Sequence, residues 1–406
     1  MFYPSLVVLA LMSLPTAVDT VGRVLPAFPV TGVEGLDGFF AGFGPLTGVI
    51  EIEELVMVLL LFLSLPRTQI YGTHINIDFL AKKFNSDNQL FLNVMFQVMM
   101  AGFLIIAGYW AIRQGMMRQN NMTPELFIKI WPFLYFVGVS MFITALAALC
   151  AALRAFGQLA ERGLWLRALV ALLIGAAIIT CPFWLAPFKL RFDRFTLGVA
   201  GWLLMLVLLF LGLPLGFAMG ISGMLGLCLL NKKLVAGLAA VGFAPYQSML
   251  SFVLVSVPLF ILMGEITSKS GISRDLFRAA SIWLGRMPGG LAVASVAGCA
   301  GFAAICGESL PTAVTMSSVA LPEMQRLKYD DSLACGGLAA GGTLGILIPP
   351  SIGFIFYSVV TEQSVGMLFM AGLIPGLPMA GLSMLVIVAT AVRQPHKAPS
   401  AGKTSW

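Results

Sequence analysis

Long apolar runs broken by short polar and basic stretches set the pattern of this chain. About 20 apolar residues cross a bilayer as a helix. Runs this long and continuous do not fit barrel strands, so helices are expected throughout. Spans are predicted at roughly residues 52–65, 90–112, 131–153, 166–185, 195–230 and 246–266. A shorter apolar run at 3–18 ends at Pro15 and Asp19 and lacks a positive leader, so a cleaved signal peptide is not expected. The 195–230 run is too long for one straight crossing, and Pro214 with Gly216 is expected to bend it.

Three later segments depart from plain spans. Over 272–287, Arg274, Asp275, Arg278 and Arg286 alternate with Leu276, Phe277, Ile282, Trp283 and Leu284. That pattern predicts an amphipathic arm lying in the membrane surface. Residues 289–324 are apolar and small but carry Cys306-Gly307-Glu308-Ser309-Leu310-Pro311-Thr312 midway. A charge beside Gly and Pro predicts two half-length helices joined by a tip, a re-entrant hairpin. Residues 333–360 carry Gly336, Gly337, Gly341, Gly342 and Gly345, then Pro349, Pro350 and Gly353. The prolines remove backbone donors and predict a broken helix. Irregular backbone at that depth is tolerated only when buried in protein or lining a cavity. A final span is predicted at 367–392, followed by a polar, mobile tail from Arg393.

Composition narrows the class. Hydrophobic residues make up 59% and charged residues 10%, against about 25% charged in a soluble domain. A soluble enzyme, a nucleic-acid-binding module and a disordered chain are thereby excluded. The net charge of +6 comes from Lys and Arg at loop ends, read as headgroup anchors. These residues flank both ends of several spans, so charge alone does not orient the chain. Cys150, Cys181, Cys228, Cys299, Cys306 and Cys335 all lie in apolar stretches and read as small apolar residues. His74 and His396 are far apart, and no metal-type Cys/His spacing occurs. Trp110, Trp131, Trp165 and Trp184 fall near predicted span ends, as an interfacial belt does.

The stretches Gly341-Gly342-Thr343-Leu344-Gly345-Ile346-Leu347-Ile348-Pro349-Pro350-Ser351 and Thr361-Glu362-Gln363-Ser364-Val365-Gly366 resemble the large membrane subunit of the tripartite ATP-independent periplasmic (TRAP) transporters. The first 160 or so residues resemble the small four-helix subunit. Their signals are Asp19 and Arg23, the pair Glu53 and Glu54, and His74-Ile75-Asn76-Ile77-Asp78. The resemblance covers nearly the whole chain. It implies an all-α polytopic membrane protein with three parts: a small-subunit domain at 1–160, a linker helix at 161–190, and the first repeat of the large subunit at 191–406. A full large subunit has two inverted repeats, each with a hairpin and a broken helix; only one of each is visible, so a second membrane chain is expected to carry the other.

The resemblance also implies a function. It is import of a small organic acid across the bacterial inner membrane, delivered by a periplasmic solute-binding protein and driven by a cation gradient. In the implied elevator, residues 288–360 move, the four-helix part with 166–185 stays fixed, and 272–287 links them. One charge falling through 100 mV supplies about 2.3 kcal/mol, and no phosphate-binding loop of the ATPase type is present. The implied coupling ion is Na+, with H+ as the alternative, held largely by backbone oxygens at Glu308, Ser309, Gly345, Ile348 and Pro350. The family tip is usually Ser-Gly-Ser-Ser; here it is Cys306-Gly307-Glu308-Ser309. Two roles are open to Glu308: strengthening cation binding, or carrying a proton itself. A third reading places it in a salt bridge or at a wetted cavity mouth.

Other polar residues receive structural readings. Glu265 with Lys269 is expected at a solvated helix end, and Glu323 with Arg326 as an i,i+3 surface pair. Arg23, Glu53 and Glu54 are expected to serve docking or lipid contact, and the His74 segment to form a surface loop. Two competing classes are an intramembrane enzyme using Cys306, Glu308 and Ser309, and a non-transporting scaffold of a split transporter. The first lacks a nearby histidine as base.

Overall fold

A computed structural model describes residues 48–77, 79–185, 194–230 and 234–399, with isolated positions 13, 16, 17 and 20. Apart from positions 13, 16 and 17, the predicted span at 3–18 lies outside the described residues, as do Asp19, Arg23 and Asp78. Among those described, every regular element is helical, and the one isolated bridge joins Met122 to Lys129. Six helices are long and apolar enough to cross a membrane, as an all-α polytopic membrane protein requires.

The chain packs as two compact units, Met1–Leu250 and Ser251–Trp406. The first holds α1 (Val49–Tyr71), α2 (Ser86–Met117), α3 (Trp131–Glu161), α4 (Trp165–Leu185), α5 (Arg194–Phe210), α6 (Leu215–Leu230) and α7 (Leu234–Met249). The second holds α8 (Phe252–Ser270), α9 (Ile272–Leu284), α10 (Gly290–Cys306), α11 (Ser309–Arg326), α12 (Asp331–Leu347), α13 (Ile352–Thr361) and α14 (Val365–Arg393). These units are defined by packing, whereas the boundaries at 160 and 190 are defined by resemblance, so the one does not decide the other.

In the first unit, α1 runs six residues past the predicted end at Leu65, straight through Pro66. Proline has no N–H to give the carbonyl four residues back, which is Phe62. Ser140 of α3 donates its hydroxyl to that carbonyl instead. The helix continues because a neighbour supplies the lost bond. Glu51, in the first turn of α1, accepts the backbone amides of Glu125 at 2.6 Å and Leu126 at 2.9 Å, tying the α2–α3 loop to this helix. Glu53 is buried and accepts from Thr16 at 2.5 Å. His74 bonds Gln69 at 2.9 Å and sets its ring edge-on to Phe217.

The long run at 195–230 is cut rather than bent. Gly212 turns left-handed (φ 103°), and the amide of Leu213 reaches back to Leu208 at 3.0 Å, a helix-ending pattern. Pro214 then opens α6. A further difference is α7, which the apolar pattern did not separate. The span predicted from Tyr246 begins at Phe252, and Tyr246 belongs to α7. Small residues let α7 approach closely: a Cβ on Gly242 would meet Trp110 at 2.4 Å. Trp110 is accordingly buried in the unit's core, not part of an interfacial belt.

In the second unit α10 is the central helix, with Val293, Val296, Cys299, Phe302 and Ala303 buried. Its 17 residues span about 25 Å at ~1.5 Å per residue, short of a ~30 Å hydrocarbon core. The amphipathic arm forms as α9 and stops before Gly285. The tail beyond Arg393 is docked as far as residue 399, contrary to the expected mobility. The amide of Asp330 donates to Lys397 O at 2.9 Å, and Ala398 is buried. Glu265–Lys269 (3.6 Å) and Glu323–Arg326 (3.0 Å) are exposed pairs, as read from their spacing.

The Ser140 bond yields a stability test. Ser140→Ala leaves the Phe62 carbonyl orphaned and lowers stability by about 1 kcal/mol. With Pro66→Ala also present the backbone donor returns, and Ser140→Ala costs about half as much or less. Unfolding of the full chain in detergent reads this cycle; equal costs in both backgrounds contradict the assignment.

Candidate functional site

Two interruptions meet in the second unit. The first is the hairpin tip. α10 ends because Gly307 turns left-handed (φ 71°), its amide closing on Ala303 O at 2.9 Å. A side chain here would be strained, and a Cβ would also press on Pro350 O at 2.7 Å. Glu308 is extended (φ −132°, ψ 147°), and α11 starts at Ser309. The Thr312 hydroxyl donates back to Glu308 O at 2.6 Å.

The second interruption is the break between α12 and α13. Ile348 is extended, as a residue before proline prefers. Pro349 and Pro350 have no N–H, so the carbonyls of Gly345 and Ile346 lose their helical donors. The amide of Ile352 would serve Ile348 O in an unbroken helix; it donates to Gly307 O of the tip at 3.1 Å instead. The carbonyls of Gly345, Ile346 and Ile348 thus lack the donors a continuous helix would give them.

Tip and break are in direct contact. A Cβ on Gly345 would lie 2.3 Å from Glu308 O and 2.9 Å from Ser309 N, so only glycine allows this approach. Of the five residues expected at a cation site, Glu308, Ser309 and Gly345 therefore meet through their backbones. Pro350 meets the tip through Gly307. Ile348 sits in the break with its side chain turned toward Gly376 of α14, leaving only its carbonyl for a ligand role. Glu308 is half-buried, and its carboxylate forms no ion pair among the described residues.

Sequence reading missed Ser351. It occupies the cap position of α13 without capping it, is fully buried, and its Oγ has no hydrogen-bond partner. The signal was a serine directly between Pro-Pro and an apolar helix, which reads as an ordinary N-cap. An unspent hydroxyl beside freed carbonyls suits a hard cation that takes oxygen ligands. Among the described residues no group of three His, Cys, Asp or Glu side chains gathers; backbone carbonyls and the Ser351 hydroxyl are the oxygen donors of the break. Two helix C-termini (α10, α12) and two N-termini (α11, α13) also converge. Their partial charges favour a cation and an anion respectively.

Residues 202–405 match the family described as the tripartite ATP-independent periplasmic transporter, DctM component, and residues 37–158 match the DctQ component. The first match alone covers half of the chain. The chain belongs to the TRAP transporter family, as a fusion of its two membrane components. Similar proteins include the C4-dicarboxylate TRAP transporter large permease protein DctM of Vibrio cholerae, 35% identical over 47% of this chain and 42% of that protein. The isethionate TRAP transporter permease protein DctMQ of Oleidesulfovibrio alaskensis is 31% identical over 52% of this chain and 32% of its own length. The sialic acid TRAP transporter large permease protein SiaM of Vibrio cholerae is 33% identical over 44% and 41% respectively. The chain thus spans less than half the length of the relatives it matches. These relatives are named as permeases, transporters rather than enzymes.

The tip–break contact in this TRAP component is open to test by thiol labelling. Gly345→Val drives a side chain into Glu308 O. Overpacking costs about 1–3 kcal/mol, which raises local opening roughly 5- to 150-fold. Cys306, buried at the tip, should then react with maleimide faster by that factor. Cys299, two turns deeper and fully buried, should not change. Unchanged Cys306 reactivity contradicts the contact.

Proposed function

We propose that this chain works as the membrane component of a Na+-coupled secondary transporter importing a small organic acid. A periplasmic solute-binding protein delivers the substrate, and the ion sits where the tip meets the break. The observation that carries this reading is the junction itself: carbonyls of Gly345, Ile346 and Ile348 without helical donors, beside the unpartnered hydroxyl of Ser351. In a bilayer such groups have no water to turn to, and a bound cation satisfies them together. Glu308 and Ser309 from the tip, with Gly345, Ile348 and Pro350 from the break, are the residues that would hold it. The names of the relatives, C4-dicarboxylate, isethionate and sialic acid, support an organic anion as cargo. The amino ends of α11 and α13 at the junction suit its negative charge.

The elevator reading draws support from the cross-bond between Ile352 and Gly307, which makes hairpin and broken helix one body over 288–360. Such a body can carry its ion across without the site falling apart. The helices of 1–160 with 166–185 form the stator in this scheme, and α9 is the arm. A second hairpin and broken helix, on a partner membrane chain, complete the substrate site, with the assembly in the bacterial inner membrane. Ion capture and release then do the work, and the gradient sets the direction.

Uptake is measured in cells making this chain together with a candidate solute-binding protein and a candidate partner membrane chain. Ser351→Ala removes one oxygen ligand and should raise the Na+ concentration for half-maximal uptake about tenfold. The substrate concentration dependence at saturating Na+ should stay close to that of the parent. An unaltered Na+ requirement rejects the site. Glu308→Gln should shift the Na+ and pH profile of uptake, since it abolishes a charge and a proton acceptor. An identical profile removes Glu308 from the coupling scheme. Full-rate uptake without the binding protein contradicts the delivery step.

A further inference from the structure

Away from the tip and break, the second unit holds a cleft of about 330 Å³ between the α8–α9 turn and α11. Lys269 and Arg274 stand at it, with the hydroxyls of Ser268, Ser273, Thr315 and Ser318. No carboxylate lines it. Ser268 Oγ and Thr315 Oγ1 are 2.9 Å apart and tie α8 to α11. Ser273 is different: it is 3% exposed, and its hydroxyl has no hydrogen-bond partner among the described residues. It is the second residue of α9, a helix of 13 residues whose cap, Gly271, offers no side-chain bond to the first amides. The Ile272 amide reaches Ser270 Oγ at 3.4 Å and those of Arg274 and Asp275 close on Gly271 O, so the Ser273 amide and hydroxyl are the groups left to the cleft that Lys269 and Arg274 flank. Glu265 reaches Lys269 at 3.6 Å on the exposed side, and Asp275 follows Arg274 without lining the cleft.

Two cations, an unspent hydroxyl and a helix amino end, converging from α8, α9 and α11, suit a tetrahedral oxyanion. The volume fits a small group, at the low end of the ~300–1,000 Å³ of ligand clefts. The setting fixes the depth. α9 carries Arg274, Arg278 and Asp275 along with Ile282 at 54% and Trp283 at 84% exposure, the make-up of a helix lying at headgroup level. We infer that this cleft binds a phosphate oxyanion, for which a phospholipid headgroup is the source at that depth. A phosphate held there bridges the arm to the hairpin helix α11. This site is separate from the cation junction and does not depend on it.

The full chain, delipidated in neutral detergent, is titrated with dihexanoyl phosphatidylglycerol, dihexanoylglycerol or inorganic phosphate, and binding is read by native mass spectrometry. Phosphatidylglycerol should bind and the uncharged diglyceride should not. Arg274→Gln and Ser273→Ala should each weaken binding about tenfold. Arg274 is exposed, so its variant folds as the parent does. Lys328→Gln, outside the cleft, should leave binding unchanged. Binding of inorganic phosphate as tight as that of the lipid upholds the oxyanion site but makes free phosphate its source. Equal lipid binding by parent, Arg274→Gln and Ser273→Ala, or equal binding of the diglyceride, overturns the inference.

Discussion

A backbone that stops being helical deep in an apolar protein must find new partners for its amides and carbonyls, and everything about the second unit follows from how it does so. The break after Leu347 spends one donor, the Ile352 amide, on the tip carbonyl of Gly307 at 3.1 Å. That bond joins two interruptions that are about 40 residues apart in sequence. It also leaves Ile348 O free, beside the carbonyls that Pro349 and Pro350 cannot serve. A continuous helix at either place would have neither the bond nor the vacancies. The cost of unmade hydrogen bonds, about 1–3 kcal/mol for each buried group, is what makes a cation a fitting occupant.

The same accounting governs the first unit with a different outcome. Pro66 frees one carbonyl of α1, and Ser140 from α3 satisfies it directly. No vacancy is left, so the helix runs on and the region serves as framework. One proline with a hydroxyl partner gives a continuous helix; two prolines with a buried hydroxyl that has no partner give a candidate ligand site. The difference lies in whether the neighbour's hydroxyl reaches the carbonyl, and apolar periodicity carries no information about that.

This explains which features were legible in the sequence. The hairpin, the broken helix and the amphipathic arm were readable because each carries local chemistry: a charge beside glycine, a proline pair, an alternation of arginine with aromatic and aliphatic residues. Helix ends set by tertiary contact were not. α1 passes its expected end because of Ser140, α7 is hidden because an unbroken apolar run has no internal punctuation, and Trp110 is buried rather than interfacial because Gly242 packs against it. At the site, Gly345 was legible as a place of close approach. Ser351 was not, because a serine before a helix is ordinary, and only the structure shows its hydroxyl unspent. The resemblance to the TRAP family was legible chiefly in the stretches 341–351 and 361–366, and the match over residues 202–405 shows the membership.

The central claim is that a sodium ion occupies the junction of tip and break. Hydrogen exchange of the full chain in detergent, in NaCl against choline chloride of equal ionic strength, addresses it most directly. Sodium should slow exchange in peptides covering 303–312 and 344–354 while leaving those from the first unit, such as 95–110, unchanged. Identical exchange in the two salts across both junction peptides would contradict the account.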